Sequence, residues 1–243
     1  MNQKLGLTRN VIKPNYALIT PDGHVPSVFP GWTNCVVNVL ISTALGARLS
    51  QYLITLEATG IGRGETHDHE WFCYVVSGSA KVNNHSLTTG GFAFLPPHTK
   101  YDVQSDVKDT KILIFTKVFE PLAGQKPAIP FYGNEKDVAE APFLGVPQAR
   151  LKLLIPDTLA ADMAVNIFTY DPGATLPFVE THVMEHGMLI LSGSGVYRLD
   201  ADWHPVTAGD TIWIAPYCPQ WFIAAGPQPA RYIYYKDVNR QPK

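Results

Sequence analysis

Short apolar runs recur along the chain, each closed by Gly, Pro, Asn, Asp or Ser. They include residues 35–42 (CVVNVLIS), 51–58 (QYLITLEA), 71–78 (WFCYVVSG), 111–117 (KILIFTK), 163–170 (MAVNIFTY), 188–193 (MLILSG), 210–216 (DTIWIAP) and 231–237 (RYIYYKD). Runs of this length, rich in β-branched and aromatic residues and bounded by turn formers, predict strands of a sandwich or barrel. Helical periodicity is scarce, with one short helix expected near residues 134–142 (NEKDVAEAP). In the last run, period two puts Tyr232, Tyr234 and Lys236 on one face and Ile233, Tyr235 and Asp237 on the other.

The pattern is written twice. ETHDHEWFCYVVSGSAKV, from Glu65, is answered by ETHVMEHGMLILSGSGVY, from Glu180. One constant offset relates Glu65 to Glu180, His67 to His182 and Gly78 to Gly193. A second relates Gly90 to Gly209, Pro97 to Pro216 and Lys117 to Lys236. A repeat of this length means one architectural unit made twice. Residues 119–147 hold several prolines and glycines and few strand-like runs, so the join is expected there. The expected division is residues 1–135 and 136–243.

Composition narrows the functions. Hydrophobic residues make up 46% of 243 and charged residues 16%, enough for a sizeable core. The net charge of −2 argues against a nucleic-acid partner. No apolar run approaches the ~18 residues that span a membrane, and the N-terminus lacks an apolar leader. A cytoplasmic protein is expected. Cys35, Cys73 and Cys218 have neither the spacing of a zinc motif nor an even count, and are expected to be buried thiols.

Glu180, His182 and His186 share a parity, so a strand running through them would turn all three side chains to one side. Imidazole and carboxylate together suit first-row metals. The arrangement resembles the cupin signature: HxH, three or four residues, Glu, six residues, Gly, then a second motif opening on Gly with a His eleven positions on. Here the outer Glu and His have exchanged places. The second motif opens at Gly209, and Gln220 stands where the His is usual. The altered set resembles the (S)-ureidoglycine aminohydrolases, two-cupin enzymes of purine-derived ureide breakdown, over nearly the whole chain. The likeness is densest from ETHVMEHGMLILSGSGVYRLDADWHPVTAGD to the closing YIYYKDVNR.

That resemblance implies an all-β fold of two tandem cupin β-barrels (a bicupin), with Mn2+ in the second, held by Glu180, His182, His186 and Gln220. Ligand chemistry alone also admits Fe, Ni or Zn. It implies hydrolysis of (S)-ureidoglycine to (S)-ureidoglycolate and ammonia in allantoin catabolism. Tyr197, Tyr232 and Lys236 would contact the ureide, with Lys236 also catalytic by pairing the carboxylate or assisting proton transfer. Trp71 and Tyr101 replace two of the four ligands in the first half, which is therefore expected to be metal-free, with Lys117 structural. His204 is expected to be exposed, Glu185 to lie off the ligand parity, and the Trp203, Trp213 and Trp221 rings to lie in a core or interface. A homo-oligomer is expected. The rival readings are another metal-dependent cupin enzyme, a dioxygenase or isomerase, or a non-catalytic small-molecule-binding cupin.

Overall fold

The computed structural model describes residues 6–241. Strands dominate and every named strand pair is antiparallel. The predicted helix near residue 135 is a single 3-10 turn, Glu135–Asp137, capped by the Asn134 side chain. A strand, Glu140–Phe143, follows it. No helix among the described residues is long and apolar enough to cross a membrane.

One sheet is built from Trp32–Ile41 through Thr110–Val118 and closes with Phe131–Asn134, which pairs with Gly91–Leu95. A second, eight-stranded sheet begins at Glu140–Phe143 and includes Met163–Tyr170, His186–Ser192 and Ala230–Asp237. A three-stranded sheet of Ser194–Leu199, Asp202–Thr207 and Gln220–Ala224 belongs with it. Together these are the sheets of a bicupin. Sheet membership changes between Asn134 and Glu140, with one exception. Tyr16–Ile19 crosses to the second half and pairs with Thr211–Ile214. Arg9 ties the same segment down through two hydrogen bonds to the buried Asp210 carboxylate, at 2.8 and 2.7 Å.

Period two sorts the side chains into three cores. Ile112, Ile114, Cys73 and Val75 fill the first half, while Tyr232, Tyr234, Met188 and Phe168 fill the second. The intervening residues Phe72, Tyr74, Leu113 and Phe115 meet Val165, Ile167, Ile233 and Tyr235 in a third core between the halves. Gly187 permits that closeness, since a Cβ there would stand 2.6 Å from Leu49 Cδ1. Cys73 and Cys218 are buried, Cys35 is half-buried, and all three are free thiols.

Polar groups also enter the junction. Glu70 and Asp162 are fully buried; Asp162 accepts from Lys117 Nζ at 2.5 Å and from the Glu120 N–H at 2.8 Å. Burial, then the neighbouring Asp162, pushes the Glu70 carboxyl up to about 9, so it is protonated at neutral pH. A raised carboxyl favours folding most below its ordinary value of 4.5, and that contribution is lost as pH rises toward about 9. Glu70→Gln, which has no proton to lose, is expected to flatten the fall in Tm between about pH 5 and pH 9. Thermal melts across that range check this. An unchanged slope contradicts it.

Candidate active site

The second motif folds differently from the strand that parity suggests. Glu180 makes an isolated bridge with Gln220, through Glu180 N to Gln220 O at 2.8 Å and Gln220 N to Glu180 O at 2.9 Å. His182 lies in a loop, where its carbonyl accepts from Tyr217 N at 2.7 Å. His186 opens the strand His186–Ser192. Two backbone anchors, not one strand, turn these side chains together. They converge in a cavity of about 160 Å3 also lined by Tyr197, Gln220, Tyr232, Tyr234 and Lys236. All seven residues singled out in the sequence therefore share one pocket.

The imidazoles have a defined tautomer. His182 Nδ1 is 3.0 Å from Met184 O and His186 Nδ1 is 3.1 Å from Tyr235 O. A carbonyl only accepts, so each Nδ1 carries the proton. Burial lowers the basicity of both rings, and with His182 alongside pushes His186 down to about 3. Both Nε2 atoms are then left as acceptors, and that of His182 takes a hydrogen bond from Gln220 Nε2 at 3.0 Å. The two ring atoms face each other at 3.2 Å, with no proton to share.

Two nitrogens each about 2.1 Å from a common cation, side by side, lie about 3 Å apart. The imidazole pair fits that spacing, and Gln220 Nε2 stands 3.0 Å from His182 Nε2. As a ligand, Gln220 needs its carboxamide turned over to present oxygen, an exchange of near-identical atoms. Glu180 Oε2 is 3.9 Å from His182 Nε2. Among the described residues no three His, Cys, Asp or Glu side chains are drawn into ligating geometry. The donor set fits a cation, and closing it requires Glu180 to swing inward. Burial holds the Glu180 carboxyl above its ordinary value, with Lys236 working the other way.

The rest of the lining is aromatic and hydroxylic. Tyr197 OH donates to Gln220 Oε1 at 2.9 Å, Tyr170 and Tyr232 hydroxyls lie 3.0 Å apart, and Asn166 Nδ2 donates to Tyr234 OH at 3.2 Å. Burial holds the Tyr170, Tyr197 and Tyr232 phenols well above their ordinary range, so they remain protonated donors.

A family model described as a Cupin domain matches residues 166–235. A probable (S)-ureidoglycine aminohydrolase of Oryza sativa subsp. japonica is 37% identical over 244 residues, covering 98% of this chain and 77% of that one. The (S)-ureidoglycine aminohydrolase of Escherichia coli strain K12 is 36% identical over 236 residues, covering 93% and 89%. The chain belongs to the (S)-ureidoglycine aminohydrolase family. The crystal structure of protein Ylba from E. coli superposes on it with a TM-score of 0.87 at 34% identity, over 100% and 99% of the two chains.

In this member of the aminohydrolase family the first half differs at the matching positions. Trp71 and Tyr101 stack with ring centres 4.8 Å apart. His67 is exposed, at a left-handed φ of 50°. His69 pairs with Asp68 at 2.7 Å.

The equation of Lys117 with Lys236 is corrected by register. Trp71 pairs with Thr116, whereas His186, its repeat counterpart, pairs with Lys236. Thr116 is thus the counterpart of Lys236, and Lys117 that of Asp237. The turn before the last strand is one residue longer in the second half, between Ala224 and Ala230 instead of Ser105 and Thr110. His204 is also corrected. It lies half-buried in Asp202–Thr207, its Nε2 3.2 Å from Tyr16 OH, which itself donates to Asp202. Trp213 is buried in the core between the halves, and Trp203 is exposed.

Phe143 and Phe168 also line the site. Phe143 comes from the strand after the join and carries no motif. Phe168 was visible only as an inward position of a strand.

Tyr101 is 8% exposed and leans on both Trp71 and Trp32. Tyr101→Ala is expected to lower stability by about 3 kcal/mol or more through the cavity it leaves. Urea denaturation measures this, and a loss below about 1 kcal/mol contradicts the packing described.

Proposed function

We propose that this chain hydrolyses (S)-ureidoglycine to (S)-ureidoglycolate and ammonia, using Mn2+ held by Glu180, His182, His186 and Gln220. The observation that carries the reading is the pair of imidazole acceptor nitrogens 3.2 Å apart, with Glu180 and Gln220 lining the same cavity. Family membership supplies the substrate. Oxygen ligands from Glu180 and Gln220 favour a hard cation such as Mn2+, and two imidazoles keep affinity for softer ones. Bound there, the metal supplies Lewis-acid polarisation and a fixed orientation for the substrate.

The reaction breaks the α-carbon to amine bond and forms a carbon–oxygen bond from water. The amine leaves with a proton. Lys236 stands on the same face as Tyr232 and Tyr234 and lines the cavity, so its ammonium can reach the reacting end of a small ureide. In this reading Lys236 supplies the proton that departs with the amine and takes back the one that water loses on adding to carbon. Tyr197 and Tyr232 orient the ureido group through phenol hydrogen bonds. Phe143, Phe168 and Met188 keep bulk water from the rest of the cavity. The first half is taken as metal-free, because Trp71, Tyr101 and Thr116 occupy three positions that carry His186, Gln220 and Lys236 in the second.

Purified protein loaded with Mn2+ and given enzymatically generated ureidoglycine is expected to release ammonia above the spontaneous rate and yield one enantiomer of ureidoglycolate. A racemic product at the spontaneous rate contradicts the reading. Lys236→Met is expected to lower kcat about 10²- to 10⁴-fold with KM little changed, as loss of a general acid does. A rise in KM alone would leave Lys236 only the role of pairing the carboxylate.

A further inference from the structure

A larger cavity, about 590 Å3, lies where the halves meet, and its wall carries two ion pairs. One joins Lys117 to Asp162; the other joins Arg48 Nη2 to Asp237 Oδ2 at 2.7 Å. Each pair sits beside a fully buried glutamate, Glu70 or Glu185, and the repeat relates the two glutamates. Each glutamate accepts a backbone N–H from the other half. Asp162 N donates to Glu70 Oε2 at 3.3 Å, and Arg48 N donates to Glu185 Oε1 at 2.8 Å. The donors stand just before equivalent strands, Met163–Tyr170 and Leu49–Glu65. The clamps are reciprocal but reversed in charge. The first half's glutamate meets an acid from across the junction and a lysine of its own half. The second half's glutamate meets an arginine from across the junction and an aspartate of its own half.

What hangs on the two clamps differs. Glu70 precedes Trp71, whereas Glu185 stands between Met184 and His186. Glu185 N donates to Asp237 Oδ1 at 2.7 Å, and Trp213 Nε1 donates to Glu185 Oε2 at 3.2 Å. The carbonyls that fix the two imidazoles belong to Met184 and Tyr235. Met184 adjoins Glu185, and Tyr235 lies two residues before Asp237. Both ring anchors are therefore carried by the segments that Glu185 and Asp237 lock together, and Arg48 is the cation that lets these two carboxylates share one site.

We propose that Arg48, supplied by the half without the ligand set, is a positioning residue for the imidazole pair of the other half. It holds segment 184–186 against strand Ala230–Asp237 and so sets the spacing of His182 Nε2 and His186 Nε2. The inference rests on the metal reading given above and deepens it: the first half takes part in the site without touching substrate.

The test is binding of Mn2+ alone, followed by the electron paramagnetic resonance signal of the free ion, in the wild type, Arg48→Ala, Arg48→Lys and Lys117→Ala. The Arg48 side chain is 42% exposed, so its truncation leaves no core cavity. Arg48→Ala is expected to weaken Mn2+ binding about tenfold, the scale of lost support behind metal ligands, with Arg48→Lys recovering part. Lys117→Ala, at the opposite clamp, is expected to lower Tm yet keep Mn2+ affinity within about twofold of wild type. Wild-type affinity in Arg48→Ala overturns the proposal, leaving Arg48 an ordinary surface ion pair. Equal loss in Lys117→Ala also overturns it, since general loosening of the junction would then be the cause. A wild-type protein that binds no Mn2+ removes the metal reading itself, and the inference with it.

Discussion

The central strands of the large sheets are buried on both faces, and that constraint organises the molecule. On the strands next to the junction, one set of alternate side chains faces its own half's interior and the other faces the opposing half. A one-residue slip would exchange the two sets, so register carries chemical meaning wherever polar residues are included. Lys236 enters a pocket while Lys117, at the apparently matching position, enters the junction. The cause is a turn longer by one residue. The same alternation puts Tyr232 and Tyr234 beside the imidazoles and sends Tyr235 to stack on Phe115 of the other half.

Within that frame the site is a problem in unmet lone pairs. Backbone carbonyls take the Nδ1 protons of His182 and His186, and burial denies either ring a second proton. Two acceptors facing each other at 3.2 Å repel, and only that of His182 is relieved, by the Gln220 amide at 3.0 Å. A cation would satisfy both at once, and in the proposed reading Glu180 and Gln220 would complete its shell. The tyrosines are arranged the other way, as protonated donors around the same cavity. In the proposed reading, one pocket would offer electron pairs to a metal at one end and hydrogen-bond donors to a substrate beside it.

Much of this was legible in the sequence, for reasons that differ by residue. The shared face of Tyr232, Tyr234 and Lys236 followed from period two because that strand is regular, whereas its turning to the pocket came from the family resemblance. Glu180, His182 and His186 were grouped by parity on a supposed strand, yet the structure groups them through a bridge to Gln220 and a hydrogen bond from Tyr217. The three side chains line one cavity, but not by sharing a strand. The crossing of Tyr16–Ile19 to the second half left no local signal, since its partner strand lies nearly two hundred residues away. Glu185, off the ligand parity, read as a group behind the ligands or at the surface; it is buried in the junction, where it meets Arg48. Retention of Glu65 and His67 suggested a decayed site. In the fold the His67 side chain is exposed, and two aromatic rings stack at the positions that carry His186 and Gln220 in the second half.

The central claim is that one cation sits among Glu180, His182, His186 and Gln220 in the second half. A crystal structure of the Mn2+-loaded protein, with data collected at the manganese absorption edge, tests it most directly. A single strong anomalous peak bonded to both Nε2 atoms is expected, with the Glu180 carboxylate swung in and the Gln220 oxygen facing it. A peak beside Glu65 and His67, or none within reach of His182 and His186, would contradict it.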